Sequence, residues 1–441
     1  MKFALVSFGN EESYGLLFAA TEFKKHGEIR FFDAEFGDIV PDIVGYRPDY
    51  LCFSPMTVFF KYAKFIENEV KKRISVVSIY GGHHASNSSS DCGDITVVGA
   101  VHGLDINKRG IVHGGVTRPE NLIHPSREEY FRDIPRMKNR YRKMLLSVVG
   151  CPWSCSYCSS ALGNFKRMYG ESSLRHRSID DIIAEAKYIL PHTQEIEWVD
   201  DDILMGDYEW YTEFFTRWQA EIGLPMYVST TSINVLKAPL DLLKLMRKSV
   251  NCVGMGVQAI RPESLKILGR AWDNEAQLKK AYDKLVAMGF RVNLQAIVGL
   301  PLHDPVEDAL DTVDGLIRIG KGCIASVYPL QIYPNTRIEK YCLDNKFFLN
   351  DECIGDTNSG LPGINFGMKI NNRLKNICKL ATMAVKYGIE RKWLEAMLDM
   401  DLEDASEKMS LVRYFECIKD RLPEKAEKLF GEITATMHLR S

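Results

Sequence analysis

The sequence predicts an α/β protein in which a doubly wound, Rossmann-like domain precedes a partial (β/α)6 TIM-type barrel and a small C-terminal helical region. Short apolar runs alternate with helical stretches over the first hundred residues, and six further cycles start at residue 144. Helical spacing without strands follows residue 371. A chain of 441 residues has room for two or three domains. We place them at 1–106, 144–345 and 346–441, with a connector at 107–143.

The first strands are predicted from short runs rich in β-branched and aromatic residues. They are Lys2–Phe8, Ile29–Ala34, Tyr50–Ser54, Val76–Tyr80 and Ile95–Val98. Helical spacing predicts helices at Tyr14–Lys25 and Val58–Lys72, whereas Ala85–Asp91 is short and polar. We therefore expect a five-stranded parallel sheet that is thinly covered on one side.

The connector at 107–143 lacks this alternation and is basic, with ten Lys and Arg against four Asp and Glu. It contains Pro119, Pro125 and Pro135. These features favour a solvated linker on the surface, and the alternative is a strap that binds phosphate.

The barrel is predicted from six strands that each precede a helix. They are Met144–Val149, Glu195–Val199, Met226–Thr230, Cys252–Val257, Arg291–Val298 and Ile324–Gln331. Ser178 and Asp181 predict a capping box, Asp273 a helix start, and Pro305 a first helical turn. Gly289 and Gly320 predict helix ends.

The C-terminal segment begins with a flexible loop at 355–367, which has four glycines and a proline in thirteen positions. This loop is either a lid over the barrel mouth or an ordinary surface linker. From Asn371 the spacing predicts helices almost to the end.

Composition limits the class of protein. The chain is 46% hydrophobic and 26% charged, which is typical of a folded protein rather than a disordered one. A formal charge of -2 gives no basic field for non-specific nucleic-acid binding. Because the longest apolar runs, such as Leu51–Phe60, fall well short of a membrane span, we expect a soluble cytoplasmic protein without membrane or nucleic-acid partners.

Three of the eleven cysteines cluster at Cys151, Cys155 and Cys158, directly after a predicted strand. The other eight are scattered and are interpreted as core residues; they are Cys52, Cys92, Cys252, Cys323, Cys342, Cys353, Cys378 and Cys417. An odd number of cysteines without a secretory signal argues against a disulfide framework. Three thiolates at this spacing suit an iron–sulfur cubane whose fourth iron stays open. The alternatives are a zinc site, for which no second ligand pair follows, and three unmetallated core thiols.

The cysteine spacing CxxxCxxC, with Tyr157 before the third cysteine, resembles the signature of the radical S-adenosylmethionine (SAM) superfamily. Further segments are similar to strand-end motifs of this superfamily: Asp200–Asp202, Gly254–Gln258, Ile297–Pro301 and Tyr333–Thr336. Two positions depart from the superfamily pattern. Gln258 and Ala259 replace Glu-Ser, and Asn335 replaces Gly.

The resemblance implies a [4Fe-4S] cluster on the three cysteines that cleaves SAM to a 5'-deoxyadenosyl radical. It implies a SAM site at the carboxyl ends of the barrel strands. The residues expected to contact SAM are Tyr157, Asp200, Asp201, Gln258, Ile297 and Gly299. For the aspartates, turn formation and helix capping are the alternative. No catalytic residue beyond the cluster ligands is predicted.

The N-terminal domain resembles the cobalamin-binding domain of cobalamin-dependent radical SAM enzymes. The residues expected to contact cobalamin are Ser54, Met56, Thr57, Gly81, Gly82, His83 and Gly99. The Asp-x-His-x-x-Gly motif that supplies an axial histidine in related domains is absent. We therefore expect cobalamin to bind without a histidine under the cobalt, and we interpret His83 and His84 as loop or packing residues. A domain that has lost its cofactor is the alternative.

Together the two resemblances imply a radical SAM methyltransferase that methylates an unactivated sp3 carbon and uses two SAM molecules, one for the radical and one to methylate cobalamin. The alternatives are cyclisation or oxidation without methyl transfer and, in another class, a non-catalytic metal-stabilised interaction protein. The expected partners are a peptide, protein or small-molecule substrate and an electron donor such as flavodoxin or ferredoxin. A residue of methyl-coenzyme M reductase is one candidate substrate.

Overall fold

The computed structural model contains two compact units, each formed from discontinuous stretches of chain. The first unit comprises Met1–Ser229, Pro239–Asn251 and Tyr333–Thr336; the second comprises Thr230–Ala238, Cys252–Ile332 and Arg337–Ser441. The structure describes residues 1–88, 90–114, 125, 127–148, 150–169, 176–350, 361–400 and 402. These units do not coincide with the predicted domain boundaries, since the first unit continues far beyond residue 106.

The N-terminal sheet has six parallel strands in the order β2-β1-β3-β4-β5-β6. The strands are β1 (Lys2–Ser7), β2 (Glu28–Asp33), β3 (Tyr50–Phe53), β4 (Val77–Tyr80), β5 (Ile95–Val98) and β6 (Gly110–His113). Every residue of β3 and of β5 is buried, as expected for strands that are covered by helices on both faces of the sheet. The doubly wound architecture predicted from the sequence is therefore confirmed.

The predicted count of five strands is wrong, because β6 lies in the segment that we interpreted as a connector. This edge strand pairs only with β5, and its residues alternate between half-buried and exposed. An edge strand covered on one side needs no long apolar run, so the sequence Gly-Ile-Val-His gave no strong strand signal.

The helices that flank this sheet include α1 (Tyr14–Phe23), α2 (Val40–Tyr46), α3 (Phe60–Lys71) and α4 (Gly82–Ser88). The prediction included α1 and α3 and omitted the other two. Pro41 and Gly45 obscure the helical pattern of α2. The polar segment that we expected to leave one side thinly covered is largely helix α4, and His84, Ala85, Ser86 and Asn87 on it are buried.

Residues 127–137 of the predicted connector contribute several side chains to the core of the first unit, whereas most of its other described residues are exposed or half-buried. Helix α5 (Arg127–Asp133) is followed by a 3-10 turn at Pro135–Met137. Tyr130 and Met137 are fully buried, and so is the side chain of Arg127 apart from 1% of its surface. A solvated linker is therefore wrong for these residues, since their basic charge is balanced by buried carboxylates. Pro119 lies outside the described residues.

The second sheet also has six parallel strands, in the order β12-β11-β10-β9-β8-β7. They are β7 (Arg142–Leu145), β8 (Glu195–Trp198), β9 (Met226–Thr231), β10 (Val250–Gln258), β11 (Arg291–Val298) and β12 (Ile324–Pro329). An open sheet of six βα units is the partial barrel that the alternation predicted. The bounds differ most for β7, which ends before the residues that lead into the cysteines.

The helices that follow the barrel strands begin largely where the capping signals indicate. In chain order they are α6 (Leu162–Tyr169), α7 (Ile179–Ile189), α8 (Tyr208–Glu221), α9 (Ser232–Lys237), α10 (Leu240–Arg247), α11 (Pro262–Ile267), α12 (Glu275–Ala287) and α13 (Pro305–Gly320). The Ser178 side chain accepts a hydrogen bond from the Asp181 amide, which confirms Ser178 as the N-cap of α7, whereas the Asp181 carboxylate accepts from Arg177. At α12 the capping residue is Asn274 rather than the neighbouring Asp273.

The C-terminal region contains α14 (Arg337–Asp344), α15 (Met368–Tyr387) and α16 (Arg391–Met397). Residues 355–360 of the predicted loop and 403–441 of the predicted helices lie outside the described residues. Within the remainder of the loop, the Gly363 amide donates to the Leu330 carbonyl at 2.7 Å. That part of the loop is thus anchored by backbone hydrogen bonding to the segment after β12.

Among the described helices, none combines the length and apolarity that crossing a bilayer requires.

Candidate active site

The three clustered cysteines lie on a compact loop between β7 and α6, in the first unit. Cys151 and Cys155 are buried, and Cys158 is half-buried. The loop is closed by a backbone hydrogen bond from Leu162 to Trp153 at 2.9 Å. Gly150 has φ +99°, and a β-carbon there would lie 2.4 Å from the Phe165 ring, so only glycine fits where the chain enters the loop.

The thiols are in an environment that disfavours a free thiolate. Burial raises the pKa of Cys158 to about 12 and that of Cys151 well above its usual range, with nearby aspartates adding to both shifts. The cysteines also influence one another, Cys155 acting on Cys158 and Cys158 on Cys151. A metal would supply the positive charge that deprotonated sulfurs need here. The donor set therefore fits a cationic iron centre.

The described residues contain no group of three His, Cys, Asp or Glu side chains that converges on a single metal ion. A cubane spreads its ligands over separate irons, so three neighbouring but non-convergent thiols are compatible with a cluster. The scattered cysteines of the described chain form no disulfide with one another; Cys52, Cys92 and Cys342 are buried, and Cys252, Cys323 and Cys378 are half-buried. Cys353 and Cys417 lie outside the described residues.

Asp200, one of the predicted SAM contacts, is buried just beyond the end of β8. It accepts hydrogen bonds from the amides of Ser147 and Val148 at 2.7 and 3.1 Å, and from the Trp198 indole at 2.8 Å. The Ser147 hydroxyl donates to its second oxygen. Burial raises the pKa of Asp200 to about 6, although these donors oppose the shift. The carboxylate is therefore engaged with the segment before the cysteines, and a SAM contact there stays a prediction.

Asp201 lines a cavity that His83 also lines. Enclosure by protein raises the pKa of the Asp201 carboxyl group, and the nearby His83 opposes that shift. The Ser160 hydroxyl and the Gly150 amide both lower the pKa of this carboxyl group as well. Tyr157, also in the first unit, is half-buried on the cysteine loop.

Three predicted SAM contacts belong to the second unit, at the carboxyl ends of two strands. Gln258 ends β10 with φ +66°, where a bulge shifts the register against β11. Such bulges redirect side chains and are common beside active sites. Ile297 is half-buried near the end of β11. Gly299, just beyond this strand, is buried, and a β-carbon added to Gly299 would lie 3.1 Å from the side chain of Pro362. Contacts of these three residues and Tyr157 with SAM stay predictions.

A cavity of about 440 Å³ in the first unit lies at the carboxyl ends of β1, β3, β4 and β5. It is lined by six of the seven residues predicted to contact cobalamin: Ser54, Met56, Gly81, Gly82, His83 and Gly99. The cavity is also lined by residues around the cysteine loop, including Val148, Gly150, Ser160, Phe165 and Asp201. One cavity thus joins the N-terminal strand ends to the loop that carries the cysteines.

Thr57, the seventh residue, does not line this cavity. Its hydroxyl lies 3.2 Å from Nδ1 of His84, whose ring stacks on Phe60 with 3.9 Å between centroids. Burial lowers the pKa of His84 to about 4. The interpretation of His84 as a packing residue is confirmed, whereas His83 lines the cavity rather than the core.

The surroundings of residue 82 leave room only for glycine, whether or not a ligand is bound. The φ of Gly82 is +77°, and a β-carbon would lie 2.3 Å from Oγ of Ser54. A β-carbon at Gly81 would have only Val97 within reach, at 3.9 Å. Gly81 is therefore the position where a larger side chain would project towards the cavity without first striking the protein.

Several cavity residues were not predicted. Glu11, Glu12 and Ser13 follow β1 and line the cavity, as does Tyr14. Their position after the first strand was the available signal, since ligands of doubly wound sheets bind beyond strand ends. Glu12 is 5% exposed and pairs with Arg127, a contact that no local pattern could show.

Asn335, which departs from the superfamily pattern, has φ +59°, a conformation that asparagine tolerates better than most residues. Its side-chain amide donates to the carbonyls of Asn87 and Ser88 at 2.6 and 3.0 Å. Asparagine therefore keeps the turn that glycine would allow and adds a link to the end of α4.

Residues 145–314 match the model of the Radical SAM superfamily. No protein with a curated description matches the chain.

Two solved structures share the fold. The radical S-adenosylmethionine methyltransferase TsrM from Kitasatospora setae, with cobalamin and a [4Fe-4S] cluster bound, has a TM-score of 0.62 at 14% identity over 78% of each chain. The cobalamin-dependent S-adenosylmethionine radical enzyme OxsB, with aqua-cobalamin bound, has a TM-score of 0.67 at 12% identity over 98% of this chain and 80% of its own. Residues 145–314 are therefore similar to radical SAM domains, and the fold of the chain is similar to that of two radical SAM enzymes solved with cobalamin bound.

Proposed function

We propose that the protein is a cobalamin-dependent radical SAM methyltransferase that methylates an unactivated sp3 carbon. Cys151, Cys155 and Cys158 hold a [4Fe-4S] cluster, and the cavity of the first unit holds cobalamin. The likeness to TsrM, a methyltransferase by description, supports the reaction class.

The observation that carries the proposal is the shared cavity. Gly81, Gly82 and Ser54 line it, and so do Gly150 and Ser160, which flank the cysteines. A ligand in this cavity would lie beside the cluster loop, which a reaction using both groups requires.

When bound, the cluster and SAM supply a means of removing a hydrogen atom, and cobalamin supplies a methyl group. The protein's own contribution is to hold and shield them. Much of the wall near the cysteine loop is apolar, with Leu146, Val148, Phe165, Met168 and Val199 among its residues. Such walls exclude water and so prevent side reactions of a reactive carbon radical.

The substrate is proposed only by class, as a peptide, protein or small molecule with an unactivated carbon. An electron donor such as flavodoxin or ferredoxin would reduce the cluster. Methyl-coenzyme M reductase gains no support from any described residue, and the proposal does not extend to it.

A second candidate is a radical reaction without methyl transfer, such as cyclisation or oxidation. The likeness to OxsB favours it, because that protein is described as a cobalamin-dependent radical enzyme and not as a methyltransferase.

The cluster is tested by anaerobic reconstitution with iron and sulfide. We expect a brown protein whose cluster and 5'-deoxyadenosine formation disappear in Cys151→Ala, Cys155→Ala and Cys158→Ala. Cys252→Ala and Cys378→Ala are matched controls that should retain both. Stoichiometric zinc without iron, or a cluster that yields no 5'-deoxyadenosine, would favour the non-catalytic alternative.

Methyl transfer is tested with methyl-labelled SAM, hydroxocobalamin and reduced flavodoxin, which needs no knowledge of the substrate. The label should appear in the corrinoid fraction together with S-adenosylhomocysteine. With a substrate, 5'-deoxyadenosine and S-adenosylhomocysteine should form in comparable amounts. Formation of 5'-deoxyadenosine alone would select the second candidate.

A further inference from the structure

We propose that the three consecutive aspartates Asp200–Asp202 position the cysteine loop, each holding a different part of it, and that the Asp202–Trp153 hydrogen bond is the contact inside the loop. This inference rests on the proposed function, because it assigns the loop to a cluster. It replaces a SAM contact as the role of Asp200 and assigns Asp202, for which no role was predicted.

The first contact precedes the cysteines. Asp200 accepts from the backbone amides of Ser147 and Val148, where β7 has ended and no neighbouring strand pairs with them. Buried amides without a strand partner need another acceptor, and this carboxylate supplies it. The chain is thereby fixed just before it turns at Gly150.

The second contact joins the two flanks of the loop. Asp201 interacts electrostatically with the Gly150 amide, one residue before Cys151, and with the Ser160 hydroxyl, two residues after Cys158, and both lower the pKa of its carboxyl group. A single carboxylate thus connects the entry and the exit of the segment that carries all three thiols.

The third contact lies between the first two cysteines. Nε1 of Trp153 donates to Oδ2 of Asp202 at 2.7 Å, and Asp202 is only 1% exposed. A buried carboxylate that receives an indole N–H gives a charge-assisted hydrogen bond, which is short and directional. It therefore fixes the orientation of Trp153 and of the backbone that links Cys151 to Cys155.

The three carboxylates can reach three places because the chain leaves the strand before them. Strand β8 ends at Trp198, and residues 201–203 form a bend. The Ile203 amide then donates to the Ser229 carbonyl at 3.0 Å, which anchors the bend to β9. In a continuous strand, alternate residues would point to opposite faces of the sheet and could not all meet one loop.

The test separates a hydrogen bond from other roles of Asp202 by using the reconstituted full-length protein. Partners that orient metal ligands typically contribute about 10- to 100-fold to activity, so Asp202→Ala and Trp153→Phe should each slow 5'-deoxyadenosine formation by about that factor. The double variant should be no slower than either single variant, because both remove one contact. Asp202→Asn keeps an acceptor oxygen and should stay within about threefold of the parent.

The spectroscopic readout is electron paramagnetic resonance of the reduced cluster with and without SAM. Asp202→Ala and Trp153→Phe should broaden the signal in the same way, with iron content and circular dichroism unchanged, whereas Asp202→Asn should restore the parent signal. Asp207→Ala is the matched control: Asp207 accepts from the Trp210 amide at 3.1 Å to cap α8, and it makes no described hydrogen bond to the cysteine loop.

Each contrary result has a distinct meaning. A parent protein without a cluster would overturn the proposed function and this inference together. A parent with a normal cluster and an Asp202→Ala variant of equal rate and signal would overturn the inference alone. An Asp202→Asn variant as impaired as Asp202→Ala would also overturn it, since the charge would then matter rather than the hydrogen bond.

Discussion

Replacing Arg127 by Met should destabilise the first unit more than any exposed charge on the same helix. The guanidinium is buried and pairs with Glu185 and, at 3.4 Å, with Glu12, while Nη2 donates to the Met144 carbonyl at 2.8 Å. Burial lowers the pKa of Arg127, but the two carboxylates outweigh it and raise that pKa, so the group is charged. Methionine fills much of the same space and removes the cation together with its N–H donors, including the one to the Met144 carbonyl.

The loss of unfolding free energy depends on which cations Glu12 and Glu185 still contact after the substitution. Removing one partner of a buried ion pair costs about 3–5 kcal/mol. Glu185 keeps an ion pair with Arg177 at 2.8 Å, and Glu12 keeps one with Lys143 at 3.4 Å. Because neither carboxylate is left without a cation, we expect the lower end, about 3 kcal/mol.

The assay is urea unfolding at pH 7, followed by both circular dichroism and tryptophan fluorescence so that coincident transitions can be verified. Arg132→Ala is the matched control on α5. Its ion pair with Asp133 has an arginine side chain that is 60% exposed, and such pairs contribute less than about 1 kcal/mol. A loss in Arg127→Met below about 1 kcal/mol, or no larger than that in Arg132→Ala, would refute the reasoning.

Two further predictions concern the glycines after β4 and the histidine on α4. Gly81→Val should fold normally and release cobalamin during desalting, measured by corrinoid absorbance, whereas Gly82→Val should lower the free energy of unfolding because its side chain meets Ser54. Retention of cobalamin by a folded Gly81→Val protein would place the corrin elsewhere. Because burial lowers the pKa of His84 to about 4, its neutral form is favoured in the folded state, and the stability it contributes is complete above about pH 6.5 and lost as the pH falls towards 4. His84→Phe should therefore lose less unfolding free energy than the parent between pH 7 and pH 4 in urea titrations; parallel losses would contradict this.

The strands that the sequence predicts best are those with the clearest pattern. Arg291–Val298 was predicted with the bounds that β11 has, and its residues alternate between buried and partly exposed. Period-two patterning of this kind is a local property, so it can be read from the chain alone. The N-terminal edge strand β6 has no such run and was missed.

Charge was the least informative signal, because its meaning depends on distant partners. The basic segment 107–143 looked like a solvated linker, yet Arg127 in it is buried against Glu12 and Glu185, which are 115 and 58 residues away. Sequence separation of this size hides an ion pair completely. Arginine is usually exposed, so the residue type predicts a surface position, whereas the folded protein buries Arg127.

Site residues could be predicted where the spacing of residue types in the sequence indicates their chemistry. They could not be predicted where their role depends on contacts formed only in the folded chain. Cys151, Cys155 and Cys158 lie on one loop, as their spacing indicates. Turn formation was one of two interpretations of the acidic run, and residues 201–203 do form a bend; the contacts of the aspartates with the cysteine loop depend on distant residues that no local pattern specifies. Thr57 was assigned to cobalamin by its position after a strand, and the structure turns its hydroxyl to His84 instead.

The discontinuous make-up of the first unit has a consequence for its biosynthesis. Tyr333–Thr336 belong to this unit, and Asn335 holds the end of α4. Those residues leave the ribosome roughly eighty positions after Asn251, which ends the preceding segment of the unit, a delay of about 4–16 s at about 5–20 residues per second. During that interval the nascent chain has its cysteine loop but lacks the tetrapeptide that binds the α4 carbonyls. A gene fragment ending at residue 251 would lack this tetrapeptide permanently, so separate expression of the first unit requires the short segment to be grafted back.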